Sequence, residues 1–357
     1  MKGGDTGIDA WDRMDGIPDP QENLDLIGHE GVLEELARQF AGGRMHHAWL
    51  INGPLGIGKA TLACRFAGHV FRQKDPASAV PHYVKPEASD PVERRVAGGG
   101  HPNLLHMRRG LRDDGKSWRT QLTVDVIRRT VSFFGTSAGE NNWRVAIVDP
   151  ADDLNRNAAN ALLKILEEPP ARTLFLVLAH SPKGLLPTIR SRCQKLVMRP
   201  LDEQQVINAL ASLGLSEGAS ADELQLIARL SGGSVRRAIV LLREDGAKLY
   251  QRLAALIGQR SPDWSAIHTI ASELAPANRN DRYRLFLSLA HDLIARRIRG
   301  EPEPGGMVFA GGSGISDLAR WVEVWEKTRH SVELADSYNL DRKQVILNLF
   351  GALHEAA

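Results

Sequence analysis

Cysteine is nearly absent from this chain: Cys64 and Cys193 are the only two among 357 residues. Two separated thiols cannot build a disulfide framework, so a reducing, cytoplasmic setting is expected. They are equally unable to form the usual four-ligand structural zinc site. Elemental analysis is therefore expected to find no stoichiometric zinc. One tightly held zinc per chain would contradict this and point to histidines such as His82, His101 or His106 as ligands. Long apolar runs are missing as well. None approaches the ~18 residues of a membrane span, and the polar, Gly/Pro-rich start MKGGDTGIDAWDRMDGIPDPQ is no secretion signal, so no membrane partner is expected. Nor does one sign of charge dominate. With 45 basic and 43 acidic residues, a formal +2, the balance argues neither for nor against nucleic acid, whose footprint would have to be local.

What is present is an alternation of apolar strands and amphipathic helices, on a length sufficient for two or three domains. Residues 1–21 read as a flexible leader, and the first ordered unit starts near Leu24. Val32, Leu33, Leu36, Ala37 and Phe40 have helical spacing, and His46 to Ile51 supplies a short strand. Thr61 to Val70 suits a helix. From Arg72 to Pro102 five prolines and Gly98-Gly99-Gly100 indicate an irregular insertion rather than a core element. Val124, Ile127, Val131 and Phe134 mark a further helix, and Arg144 to Val148 a buried strand. Asn155 to Glu168 is the clearest helix, stopped by Pro169-Pro170, and Leu174 to Leu178 and Lys195 to Met198 are strands. Strands of this kind alternating with helices predict an α/β fold with a covered parallel sheet over 22–200. Beyond it only helices are expected: a small helical domain over 201–257, broken at Ser231-Gly232-Gly233, and a terminal helical domain over 262–357, interrupted by a loop at 300–314.

Gly53-Pro-Leu-Gly56-Ile-Gly58-Lys59 matches the phosphate-binding loop G-x-x-x-x-G-K, with a strand before it and a helix after it. Such a loop binds phosphate through backbone N–H groups at a helix N-terminus, and the lysine adds a point charge. The candidate nucleotide-binding set is Gly53, Gly56, Gly58, Lys59, Thr61, Asp149 and Arg236. Two groups required for hydrolysis are missing. Ala60 stands where a Ser or Thr hydroxyl ligates magnesium, and Thr61 is one place too late, rotated by about 100° around the helix. Asp149 ends its strand as a magnesium-associated carboxylate would, but Pro150 follows where a water-activating acid often stands. Asp152 and Asp153 are the alternatives for that acid, displaced from the strand end. The residues are compatible with bound ATP or ADP and with an empty loop alike.

Ser191-Arg192-Cys193 precedes the last strand; by itself Arg192 reads as an ordinary surface charge, but the preceding Leu185 to Arg190 place it at a domain edge from which it could reach a neighbouring subunit's γ phosphate. Cys193 reads as a packed thiol, since no base is evident beside it, and His46 and His47 as strand-entry residues rather than metal ligands. Arg236 opens a helix after Gly232-Gly233-Ser234 and either folds back towards a nucleotide or belongs to a charged surface.

Taken in order, these segments resemble the clamp-loader branch of the AAA+ ATPases. They are Ile27-Gly28-His29-Glu30, His47-Ala48-Trp49-Leu50 leading into the glycine loop, and the specific run from Asn157 to Pro170, followed by Ile189-Arg190-Ser191-Arg192-Cys193 and Gly233-Ser234-Val235-Arg236. The resemblance covers about Leu24 to Arg237. It implies an AAA+ domain, a helical lid and a helical collar, in a pentameric DNA polymerase III loader with tau/gamma-like motor subunits and a delta-like subunit. That loader opens a ring-shaped sliding clamp and places it on primed DNA. Ala60 and Pro150 favour the stator of such an assembly, with Arg192 as its arginine finger in trans, over a motor. The alternatives are an ATP-hydrolysing motor subunit or other AAA+ ATPase, and a DNA-binding module. Many members of that branch carry a four-cysteine zinc module after the helix that follows the glycine loop; residues 72–102 contain no cysteine, so zinc is not carried over.

Overall fold

Alternation along three strands sorts the hydrophobic core into two layers. Trp49 and Ile51, Val145 and Ile147, and Leu174, Leu176 and Leu178 face one side. Ala48 and Leu50, Ala146 and Val148, and Phe175, Val177 and Ala179 face the other. A strand that is apolar on both faces must be covered on both, and helices do this. The computed structural model describes residues 12–112, 117–135, 142–181, 184–259, 261–301, 304, 315–338 and 341–356. Residues 1–11 of the expected leader and most of the expected loop at 300–314 lie outside the described residues.

The five strands are β1 (Ala48–Asn52), β2 (Leu104–Met107), β3 (Arg144–Val148), β4 (Thr173–Ala179) and β5 (Gln194–Val197). They form one sheet in the order β2-β3-β4-β1-β5, with every neighbouring pair parallel. Helices α1 (Glu30–Ala41) and α2 (Lys59–Gln73) pack on the first face, where Leu33, Leu36, Phe40, Leu62, Phe66 and Val70 are buried. After the short helix α3 (Pro91–Ala97), helices α4 (Val124–Gly135), α5 (Arg156–Glu167) and α6 (Pro187–Arg192) cover the second face through Ile127, Leu162, Leu166 and Ile189. The Asn155 side chain accepts the Ala158 amide and so caps α5. The expected α/β fold with a covered parallel sheet is what forms.

Three local expectations are corrected. The stretch 72–102 is not wholly irregular: Asp90 caps α3, Pro91 occupies its first turn, and Glu93 and Val96 are buried. Pro91 begins a helix rather than breaking one, because its missing N–H falls where no intrahelical partner exists. Strand β2 adds to the expected set of strands, since a four-residue edge strand interrupted by His106 gives little apolar signal. The described part of the leader lies against the domain, with Asp19 and Gln21 buried and the Gln21 carbonyl accepting from Arg65 Nη2 at 2.6 Å.

The chain divides into two units, Met1–Leu213 and Gly214–Ala357. The first includes α7 (Glu203–Ser212), opened by a reciprocal capping box between Asp202 and Gln205. In the second unit all described elements longer than one turn are α-helices. They are α8 (Ala221–Ser231), α9 (Val235–Arg243), α10 (Gly246–Ile257), α11 (Trp264–Leu274), α12 (Asn280–Arg299), α13 (Ile315–Tyr338) and α14 (Arg342–Ala356). Among the described residues no helix is long and apolar enough to cross a membrane.

Candidate functional site

The glycine loop joins the C-terminal end of interior strand β1 to the first turn of α2. Two of its glycines are required by geometry. A Cβ at Gly53 would come within 2.5 Å of the Met198 carbonyl oxygen, and Gly58, at φ +100, caps α2 in the left-handed region. Gly56 also has positive φ. Gly58 supplies no side-chain cap, so the first amides of α2 are left to an external acceptor. The loop is braced by groups of the chain itself. His29, beside the N-terminus of α1, lies with Nε2 2.9 Å from the Ile57 carbonyl oxygen, the geometry of a donating N–H. Burial lowers the His29 pKa, with the Ile57 contact opposing, so a neutral imidazole is favoured. Lys59 Nζ donates to the carbonyls of Gly53 at 2.7 Å and Pro54 at 2.6 Å, tying the end of the loop to its beginning. An ammonium has three donors, which leaves one for a phosphate oxygen. Burial brings the Lys59 pKa down to about 8 against the pull of Asp149 and Asp152, so the ammonium persists at neutral pH.

The groups that would handle magnesium and water are arranged otherwise. Ala60 packs against the core and offers no oxygen, and Thr61 is buried one position further along α2. Asp149, at the end of β3, is engaged from edge strand β2. His106 Nε2 lies 3.2 Å from its Oδ2, and Arg108 Nε is 3.9 Å from the same oxygen. Burial works to raise the Asp149 pKa, but the His106 hydrogen bond and the charges around it outweigh this and hold the carboxyl below its usual range. The two carboxylates considered as substitutes are committed too. Asp152 accepts the amides of His180 at 2.6 Å and Ser181 at 3.0 Å, which pins the turn after β3 to the end of β4. Asp153 is paired with Arg109. The residue set fits the phosphates of a nucleotide, which the loop amides and Lys59 would hold. It does not fit the magnesium ion that a loop of this type implies.

Arg192 ends α6 immediately before Cys193 and β5. Its Nη2 is 2.6 Å from Glu167 Oε1, and its Nη1 donates to the Thr188 carbonyl at 3.1 Å. The side chain is 36 % exposed and its partner 48 %. The guanidinium is thus held in one direction by weak, solvent-exposed contacts that a phosphate group can replace. Cys193 beside it is a packed thiol whose pKa burial pushes up to about 12, and Cys64 is pushed up to about 11, so neither is a nucleophile. At the entry of β1, His46 Nδ1 lies 2.8 Å from the Ala48 carbonyl oxygen and His47 Nε2 3.2 Å from that of Leu166 in α5. Among the described residues no group of three or more His, Cys, Asp or Glu is placed to hold a metal ion.

Of the sequence-derived candidates, Gly53, Gly56, Gly58, Lys59, Thr61 and Asp149 therefore lie in the first unit at the C-terminal edge of the sheet. Arg192 is in the same unit at the end of α6, and Arg236 is in the second unit, in the first turn of α9. Sequence reasoning missed Arg108 and named His106 only as a would-be zinc ligand, because nothing marked 104–107 as a strand alongside β3. It noted His29 only as part of a motif.

The family described as "DNA polymerase III, delta subunit" matches residues 28–202. The DNA polymerase III subunit delta′ of Escherichia coli is 31% identical over 266 residues, covering 74% of this chain and 74% of that protein. The subunit delta′ of Pseudomonas aeruginosa is 34% identical over 236 residues, 64% of this chain and 66% of that one. The DNA polymerase III subunit tau of Escherichia coli is 31% identical over 290 residues, 79% of this chain but 42% of tau. The chain thus spans less than half the length of tau and about two thirds to three quarters of these delta′ subunits.

Proposed function

This chain belongs to the family of DNA polymerase III delta′ subunits, and from that premise we propose that it is the stator of a clamp loader. In this proposal it assembles in the cytoplasm with tau/gamma-type motor subunits and a delta-type subunit into a hetero-pentamer. The assembly opens a ring-shaped sliding clamp and places it on primed DNA. Residues 201–257 would form the lid and 262–357 the collar through which the subunits associate, and Arg236 would approach a nucleotide from the lid. Arg192 would be presented to the γ phosphate of the adjacent motor subunit's ATP, as an arginine finger in trans.

The observation that carries the proposal is the split between two sites on one domain. The chain's own glycine loop is formed and braced, yet its strand-end carboxylate is spent on His106 and Arg108 and no hydroxyl follows Lys59. Arg192 is half-exposed and held ready at a different edge. A subunit that stimulates another's hydrolysis without performing its own has this combination.

The similarity to tau supports a second reading, an ATP-hydrolysing motor. The two are separated by turnover of the purified chain. We expect ATP hydrolysis no faster than in a Lys59→Ala control, because magnesium ligation and water activation are both absent from the residue set. Robust turnover that disappears in Lys59→Ala would establish the motor reading instead. Gel filtration with purified tau/gamma-type subunits should show a stable complex containing this chain; separate elution would remove the loader role.

A further inference from the structure

The strand-end carboxylate of a phosphate-binding loop ordinarily faces a divalent cation. Here Asp149 already has a cationic partner supplied by the chain. His106 lies in β2, the neighbour of β3 in the sheet, and Arg108 just beyond it, at side-chain exposures of 12 % each, with Asp149 at 18 %. Arg108 Nε approaches His106 Nε2 to 3.1 Å, and that same Nε2 faces Asp149 Oδ2. One nitrogen cannot donate to the carboxylate and accept from the guanidinium. The carboxylate is the stronger acceptor, so Nε2 carries the proton and donates to Asp149, and Arg108 acts on the carboxylate through its charge. Other charges act on this cluster: Lys59 and Asp152 act on the glycine-loop side, and Asp12 and Asp19 come from the leader, where burial raises the pKa of Asp19 against the opposing charge of Arg108.

We propose that Arg108, beside the His106 that donates to the same carboxylate, is the permanent counter-cation of Asp149, and that the glycine loop consequently takes a nucleoside di- or triphosphate without a divalent metal. A dication placed beside Asp149 would meet a guanidinium 3.9 Å from the same oxygen and find no hydroxyl at Ala60 to complete its shell. The phosphates do not need it, because Lys59 and the N-terminal amides of α2 meet their charge directly. The proposal rests on the loop being a phosphate site; it does not depend on the loader role, which is tested with assembled complex.

The test is calorimetric titration of ADP into the purified full chain, once with excess magnesium and once with excess EDTA. The Kd is expected to agree within about threefold between the two buffers. Tightening by magnesium of about tenfold or more would overturn the proposal, and so would absence of binding in both buffers up to millimolar ADP. A His106→Gln/Arg108→Gln variant, its fold checked by circular dichroism, separates the counter-cation from the loop. With Asp149 released, magnesium should now tighten ADP by about tenfold, whereas the same metal independence as in the unmodified chain would remove Arg108 and His106 from the role. Ala60→Thr with both residues intact should stay metal-independent; if the added hydroxyl alone brings magnesium dependence, Asp149 was never occupied.

Discussion

Arg192→Ala should leave this chain folded and able to join the loader, while slowing hydrolysis at the one motor site it is proposed to face by roughly 10³-fold or more. The fold should survive because the interactions removed lie at the surface. Arg192 is 36 % exposed and Glu167 48 %, and such a pair contributes about 0–1 kcal/mol. The rate should not survive, because a guanidinium aimed at a transferring phosphoryl group stabilises charge that exists only in the transition state. In the proposed loader the other motor sites keep their own partners, so total DNA- and clamp-stimulated ATPase should fall partially and clamp loading, which needs coordinated sites, should fall further. Arg190→Ala, two residues earlier on α6, serves as the neighbouring charge control and should do less. Unchanged steady-state rates for Arg192→Ala, with assembly verified, would leave the chain a scaffold only.

The second large effect concerns stability. Glu93, 2 % exposed on α3, accepts from Arg65 Nη1 at 2.5 Å and also from Arg72, both on α2; Arg65 is fully buried. Arg65 in turn holds the Gln21 carbonyl, so one carboxylate joins leader, α2 and α3. Glu93→Ala would leave buried guanidinium charge without its carboxylate. Removing one partner of a buried pair costs about 3–5 kcal/mol, a drop in Tm on the order of 10 °C for a unit of this size. Gly68→Ala should act on the same cluster, because a Cβ there would press against the Glu93 carboxylate that two arginines hold in place. Replacing the inner pair together, as Arg65→Met/Glu93→Leu, should recover much of the stability, since the desolvation cost of both charges disappears. Chemical denaturation of the full chain measures this, and a destabilisation below about 1 kcal/mol for Glu93→Ala would show that the cluster adds little.

The same cluster shows where the sequence stops being readable. Apolar periodicity locates β1, β3, β4 and the helices around them because each buries a continuous face, and Gly53 to Lys59 is legible because its φ angles and close approaches admit few residue types. The stretch 72–102 reads wrongly as irregular throughout because its ordering force is polar: Glu93 is fixed by arginines that stand 28 and 21 residues earlier, and no local pattern records such a pairing. His106 and Arg108 escape for a related reason. Their role depends on β2 lying beside β3, which the topology decides and composition does not. The absence of a hydroxyl at Ala60 is visible in the sequence itself, whereas the partner already holding Asp149 is visible only in three dimensions.

Under the stator proposal a loader should depend on this chain although the chain itself turns over no ATP. The most direct measurement is clamp loading on primed DNA by a complex reconstituted from purified tau/gamma-type and delta-type subunits, with and without this chain. Loading should require it, and the isolated chain should show no turnover above its Lys59→Ala control. Equal loading in its absence would contradict the stator role.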